Sequence, residues 1–153
     1  MVNPRSDTIK THLSRLYETD EHLWLQETIK LLKGNRLDEL DVENLIEELE
    51  NLGRSDKNKA ASLLEQIIRH ILYLQYWETR IKDNRPHWEA EIDSFRTQLR
   101  RHLTINLHQY LEGELESIYE DASRYVTKKT ELKILPHQCP YTLVQLLDQN
   151  WLP

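Results

Sequence analysis

Residues 63–77 read LLEQIIRHILYLQYW. Apolar side chains fall on nearly every side of this segment when residues are placed about 100° apart. A helix apolar over most of its circumference must be covered on most of it. This stretch is therefore read as the most buried element, and the rest of the chain as what covers it. Upstream the same phase continues through Leu52, Asp56, Ala60 and Leu63. Leu45, Leu49 and Leu52 form the expected core stripe, Asp41 is an N-cap type residue, and Glu43 sits well in a first turn. The spacing predicts one long helix from Asp41 to about Thr79, bent or loosened at Gly53, with two helices broken at Gly53 and the second capped by Ser55 as the alternative.

Working outward, Trp24, Leu25, Thr28, Leu31 and Leu32 share one broad side of a helix from about Asp20 to Lys33, with Asp20 or Thr19 as cap and Gly34 as its C′ residue. A preceding turn runs through Leu13, Leu16 and Tyr17. Pro86 is placed to open a third helix, ending near Leu103, with the stripe Trp88, Ile92, Phe95, Leu99 and Leu103. A fourth begins at Asn106, paired with Gln109 in a weak capping box, and carries Leu107, Leu111, Leu115, Ile118, Ala122 and Tyr125. After Pro140, Thr142 and Gln145 make another capping pattern, opening a short helix, and Trp151 pins the tail. The expected architecture is all-α: a single-domain, up-and-down bundle of about four main helices with a short C-terminal helix. It spans residues 1–153, with 1–15 loosely ordered and 131–153 a tail packed on the bundle.

Composition supports this. Of 153 residues, 39% are apolar and 30% charged, enough for one core and a solvated surface. Three glycines and five prolines are too few for an all-β sandwich or barrel of this length. The single Cys139 rules out an internal disulfide and any Cys-rich metal site, and fits a reducing compartment. No segment approaches a membrane span, and MVNPRSDTIK has no apolar signal core, so a cytoplasmic location without membrane contact is expected. The net charge of −6 argues against non-specific nucleic-acid binding.

Taken in order, Tyr17…Asp20…Trp24…Leu32, then LDELDVENLIEELENLGRS (37–55), HILYLQYW (70–77), Arg85…Trp88…Ile92 and CPYTLVQLLDQNWLP (139–153) resemble one bacterial family, domain of unknown function twenty-nine. The resemblance runs from about Leu16 to the end. It implies a compact α-helical domain and brings no activity with it.

The residues themselves offer three functional readings. The first is a non-catalytic interaction or regulatory module, its partner another protein or a second copy. Tyr73 and Tyr76 point away from the His70 stripe and form one half of the expected surface; the acidic Glu43, Glu47 and Glu50, opposite the Leu45 stripe, form the other. The second is a ligand site, enzymatic or metal-binding, at His70. This histidine lies mid-stripe, where a buried imidazole needs a partner, with Glu114 on the fourth helix or Glu48 at a stripe edge as candidates. The third is nucleic-acid binding through the basic helix 85–101, with Arg96, Arg100 and Arg101 as contacts; Glu89 and Asp93 at helical spacing instead mark a salt-bridged surface that includes Arg96 and Arg100.

Catalytic and cofactor motifs are missing from the sequence. There is no Glu-x-x-His of the di-iron bundles and no His-Glu-x-x-His. Glu18 with His22, His87 with Glu91 and His108 with Glu112 are i,i+4 pairs of the kind a sequence rich in acids produces by chance. No phosphate loop or nucleophile elbow occurs, and Cys139 near His137 carries no other mark of activation. No cofactor and no metal is expected.

Overall fold

The computed structural model describes residues 4–153. Among them are six α-helices, one 3-10 turn and no strand. The helices are α1 (Pro4–Thr19), α2 (Glu21–Lys33), α3 (Val42–Tyr76), α4 (Glu78–His102), α5 (Ile105–Thr130) and α6 (Leu143–Leu147). The segment expected to be loose is helical from Pro4 onward; residues 1–3 lie outside the described residues. Contacts divide the chain into two compact units, one running to Arg54 and the other Ser55–Pro153.

The first unit packs α1, α2 and the start of α3 around Leu13, Trp24, Leu31 and Leu40, with Ile9, Leu16, Tyr17 and Leu45 at its edge. Asp20 caps α2, its side chain accepting from the Leu23 amide at 3.0 Å. Gly34 follows α2 as expected, but with φ −81; the left-handed residue is Asn35, at φ 55. Asparagine tolerates this conformation because its short amide bonds locally.

The second unit is a helical bundle around the remainder of α3. Leu63, Leu64, Ile67, Ile68, Ile71, Leu72, Tyr73 and Leu74 are all buried, as the apolar circumference of 63–77 requires. Trp88, Ile92 and Leu99 from α4, Leu111, Ile118 and Ala122 from α5, and Tyr141, Leu143 and Leu146 from the tail cover them. Thr142 and Gln145 form the expected capping box of α6.

Three boundaries differ from the sequence reading. α3 is unbroken at Gly53 and stops at Tyr76, where Trp77 (φ −91, ψ 61) turns the chain directly into α4. α4 therefore starts at Glu78, and Pro86 lies inside it rather than at its head. Proline removes one hydrogen bond there, to the Lys82 carbonyl, and Pro86 and Lys82 are both exposed, so water can solvate the freed group. α5 is capped by Thr104, whose hydroxyl accepts from the Leu107 amide at 3.2 Å, not by Asn106.

Gly53 has a negative φ, and a Cβ added there meets no atom within 4 Å; the same holds for Gly113 in α5. Mid-helix glycine costs about 0.5–1 kcal/mol relative to alanine. Gly53→Ala and Gly113→Ala should each raise stability by about that amount in thermal melts followed by far-UV circular dichroism. A fall in melting temperature for Gly53→Ala would mean that α3 is not helical through this position.

Candidate functional site

The His70 region is filled. The imidazole is half-buried, its Nδ1 lies 2.7 Å from the Gln66 carbonyl, and its ring packs against Tyr73 and Phe95 at 5.3 and 5.5 Å between centroids. Tyr73 in turn packs on Trp77 and Trp88, which stack on each other at 5.6 Å. Burial pushes the His70 pKa down, against the Gln66 carbonyl and Glu91, which favour its charged form. Glu114, the expected partner on the fourth helix, is exposed, so the structure does not bring the two together. Glu48 belongs to the first unit and accepts a 2.6 Å hydrogen bond from the Tyr17 hydroxyl, which raises the Tyr17 pKa to about 12.

Tyr73 is 2% exposed and its pKa is raised to about 12 by burial; it is core, not surface. The sequence reading placed it outward because it counted only the His70 stripe, whereas α4 and the Lys129 end of α5 cover the other side too. Tyr76 is half-buried against the same core. The aromatic half of the expected surface therefore does not exist in this form.

Arg96 is also inside, 3% exposed. Its guanidinium donates to the carbonyls of Leu146 (2.7 Å), Trp151 (2.9 Å) and Gln145 (3.2 Å). Leu146 and Gln145 lie in the last turn of α6, where carbonyls outnumber the helix's own amides; the Gln145 carbonyl also accepts from the Asp148 amide at 3.2 Å. Burial lowers the Arg96 pKa, while Asp148 and Asp93 act against that. An arginine with its donors committed in this way cannot also bind phosphate. Arg100 and Arg101 are exposed, and Glu89 pairs with Arg85 at 3.1 Å.

The acidic run of residues 38–50, which leads into α3, splits into two sets. Inward, Asp38 accepts from Ser6 (3.0 Å), Asp41 from the Trp24 indole (3.2 Å) and Asn44 (2.7 Å), and Glu48 from Tyr17. Glu39 pairs with Arg36. Outward, Glu43, Glu47 and Glu50 are exposed and make no ion pair among the described residues.

Beside them lies an exposed aliphatic face, of which the sequence reading assigned Leu49 and Leu52 to the core. Leu49 and Leu52 are 60% and 62% exposed, and Val42 and Ile46 are 50% and 51% exposed. Only Leu45 of the expected stripe packs against the first unit's core. Val42, Ile46, Leu45, Leu49 and Leu52 span an apolar arc of about 120°, the width of an ordinary core-facing stripe, so the sequence carried no signal of their exposure.

Elsewhere, a groove of about 600 Å³ runs between α5 and residues 132–137, with Arg124 already held by Glu120 and Asp121. The Cys139 thiol is half-buried, its pKa raised by burial. Among the described residues no three His, Cys, Asp or Glu side chains are placed to share a metal, and no helix is long and apolar enough to cross a membrane.

Fold and site together define an all-α protein with a closed aromatic core and an uncovered aliphatic helix face. The chain belongs to the family described as Domain of unknown function DUF29, whose pattern matches residues 16–152. No curated protein and no solved structure matches it.

Two outcomes follow for the second unit. Arg96→Ala should cost about 3 kcal/mol in urea unfolding, since it strands buried carbonyls, and Arg96→Lys should not restore it because one ammonium lacks the guanidinium's spread of donors. For His70, the folded pKa lies below the ordinary 6.5. The unfolded chain then binds the proton more readily, so the His70 contribution is complete above 6.5 and lost as pH falls below it. His70→Leu should therefore show a shallower loss of stability than the wild type between about pH 7 and pH 5. Identical slopes would mean that His70 is not buried in the neutral form.

Proposed function

We propose that the protein is a small, non-catalytic interaction module acting in the cytoplasm, and that its binding surface is the Val42/Ile46/Leu49/Leu52 face of α3 bordered by Glu43, Glu47 and Glu50. The observation that carries this reading is the exposure of four large aliphatic side chains on one side of a single helix. Single exposed aliphatics are ordinary on protein surfaces; a run of them at three- and four-residue spacing is the form in which one helix receives another element. The committed state of Arg96 and the packed surroundings of His70 favour this surface over a phosphate-binding helix or a histidine-centred pocket. The cytoplasmic location rests on the lone, half-buried Cys139, which suits a reducing compartment.

The test is co-purification from an extract of the source cells, comparing the full wild-type chain with Ile46→Asp/Leu49→Asp. Both positions are exposed, so the variant should fold, as circular dichroism can verify. A stoichiometric protein should elute with the wild type and be lost from the variant. Identical eluates would reject this face.

A further inference from the structure

We infer that the partner presents an amphipathic helix whose apolar stripe is bordered by Lys or Arg, and that these basic side chains meet Glu43, Glu47 and Glu50. This rests on the interaction reading above and adds the chemistry of the occupant. On α3, with about 100° per residue, Val42 sets the origin, Ile46 lies about 40° to one side, and Leu49 and Leu52 lie about 20° and 80° to the other. Glu50, Glu43 and Glu47 follow at about 80°, 100° and 140°, directly beyond Ile46. The face thus has an aliphatic floor and one acidic border. From Val42 to Leu52 it is about 15 Å long, the length of three helical turns.

Charge selects among the occupants such a floor would accept. Residues 37–53 carry seven acidic side chains and no basic one. Four of the seven are engaged inside the first unit, and the three on the border have no ion-pair partner among the described residues. A second copy docking antiparallel would set these borders against each other, where like charges cost affinity, and one docking parallel would leave both borders without a counter-charge. Anionic lipid headgroups and nucleic-acid phosphates are repelled for the same reason. A helix with basic flanks both covers the aliphatic floor and neutralises the border.

The probe is a fluorescein-labelled amphipathic peptide of Leu and Lys, long enough for four helical turns, with a twin in which Glu replaces Lys. Fluorescence anisotropy with the full chain should give saturable binding of the Lys peptide and at least about tenfold weaker binding of the Glu twin. Glu43→Gln/Glu47→Gln/Glu50→Gln should weaken the Lys peptide about tenfold and flatten its salt dependence, and Ile46→Ser/Leu49→Ser should weaken it similarly. Removing three acids elsewhere, Glu78→Gln/Glu112→Gln/Glu114→Gln, should leave it unchanged. Equal loss in that control, equal binding of the two peptides, or no binding of either overturns the inference. If co-purification still yields a partner that Ile46→Asp/Leu49→Asp abolishes, only the basic chemistry has failed; if co-purification fails as well, the face itself has. A dimer in sedimentation equilibrium that Leu49→Asp disrupts would make the occupant a second copy and also overturn it.

Discussion

The buried guanidinium of Arg96 is the contact on which the second unit's tail depends. α6 is only five residues long, too short to be stable by propensity, and beyond the Asp148 amide, which reaches Val144 and Gln145, its last-turn carbonyls lack helical donors. Arg96 supplies donors to two of them and to the Trp151 carbonyl, across 49 to 55 residues of sequence. The tail is held there in three further ways. Leu143 and Leu146 enter the core, Tyr141 donates to Gln75 at 2.6 Å, and Tyr119 donates to the Pro136 carbonyl at 2.6 Å. Burying a charge is costly unless its hydrogen bonds are made, so the arginine and the carbonyls each need the other.

The first unit solves a related problem with the opposite charge. Its core is small, and three polar groups at its margin are matched to acids on residues 38–48: Ser6 to Asp38, Trp24 to Asp41, Tyr17 to Glu48. These acids fasten α1 and α2 to the start of α3 and to the segment that leads into it. The outward side of α3 keeps the remaining acids together with the aliphatic face. The segment 38–52 thus carries structural acids, two of them ahead of α3 and Glu48 within it, beside a proposed recognition surface.

Much of the local structure was legible. The Asp20 cap, the Thr142/Gln145 capping box and the burial of 63–77 are set by neighbours within a few turns. The misplaced features share a different property. Pro86 was read as a helix start because its preference at first turns is local, but α4 begins where Trp77 turns out of α3 to stack on Trp88. Tyr73 was read as surface because one stripe was counted, while cover arrived from helices lying far along the chain. Glu114 and His70 shared an apolar phase on their own helices, which fixes neither helix's rotation against the other.

By itself the sequence determined that the chain is helical, where most helices begin, which segment is most deeply buried and which family it belongs to. Periodicity and capping act over three or four residues, so one sequence suffices to read them. Only the tertiary structure decided that Arg96 turns inward, that Tyr73 is core and that Leu49 and Leu52 stay exposed. In each case the local pattern allowed two outcomes. A basic residue at the edge of a stripe can face water or carbonyls, and an apolar arc of about 120° can be covered in whole or in part. The choice was made by groups tens of residues away, through contacts that helical phase does not encode.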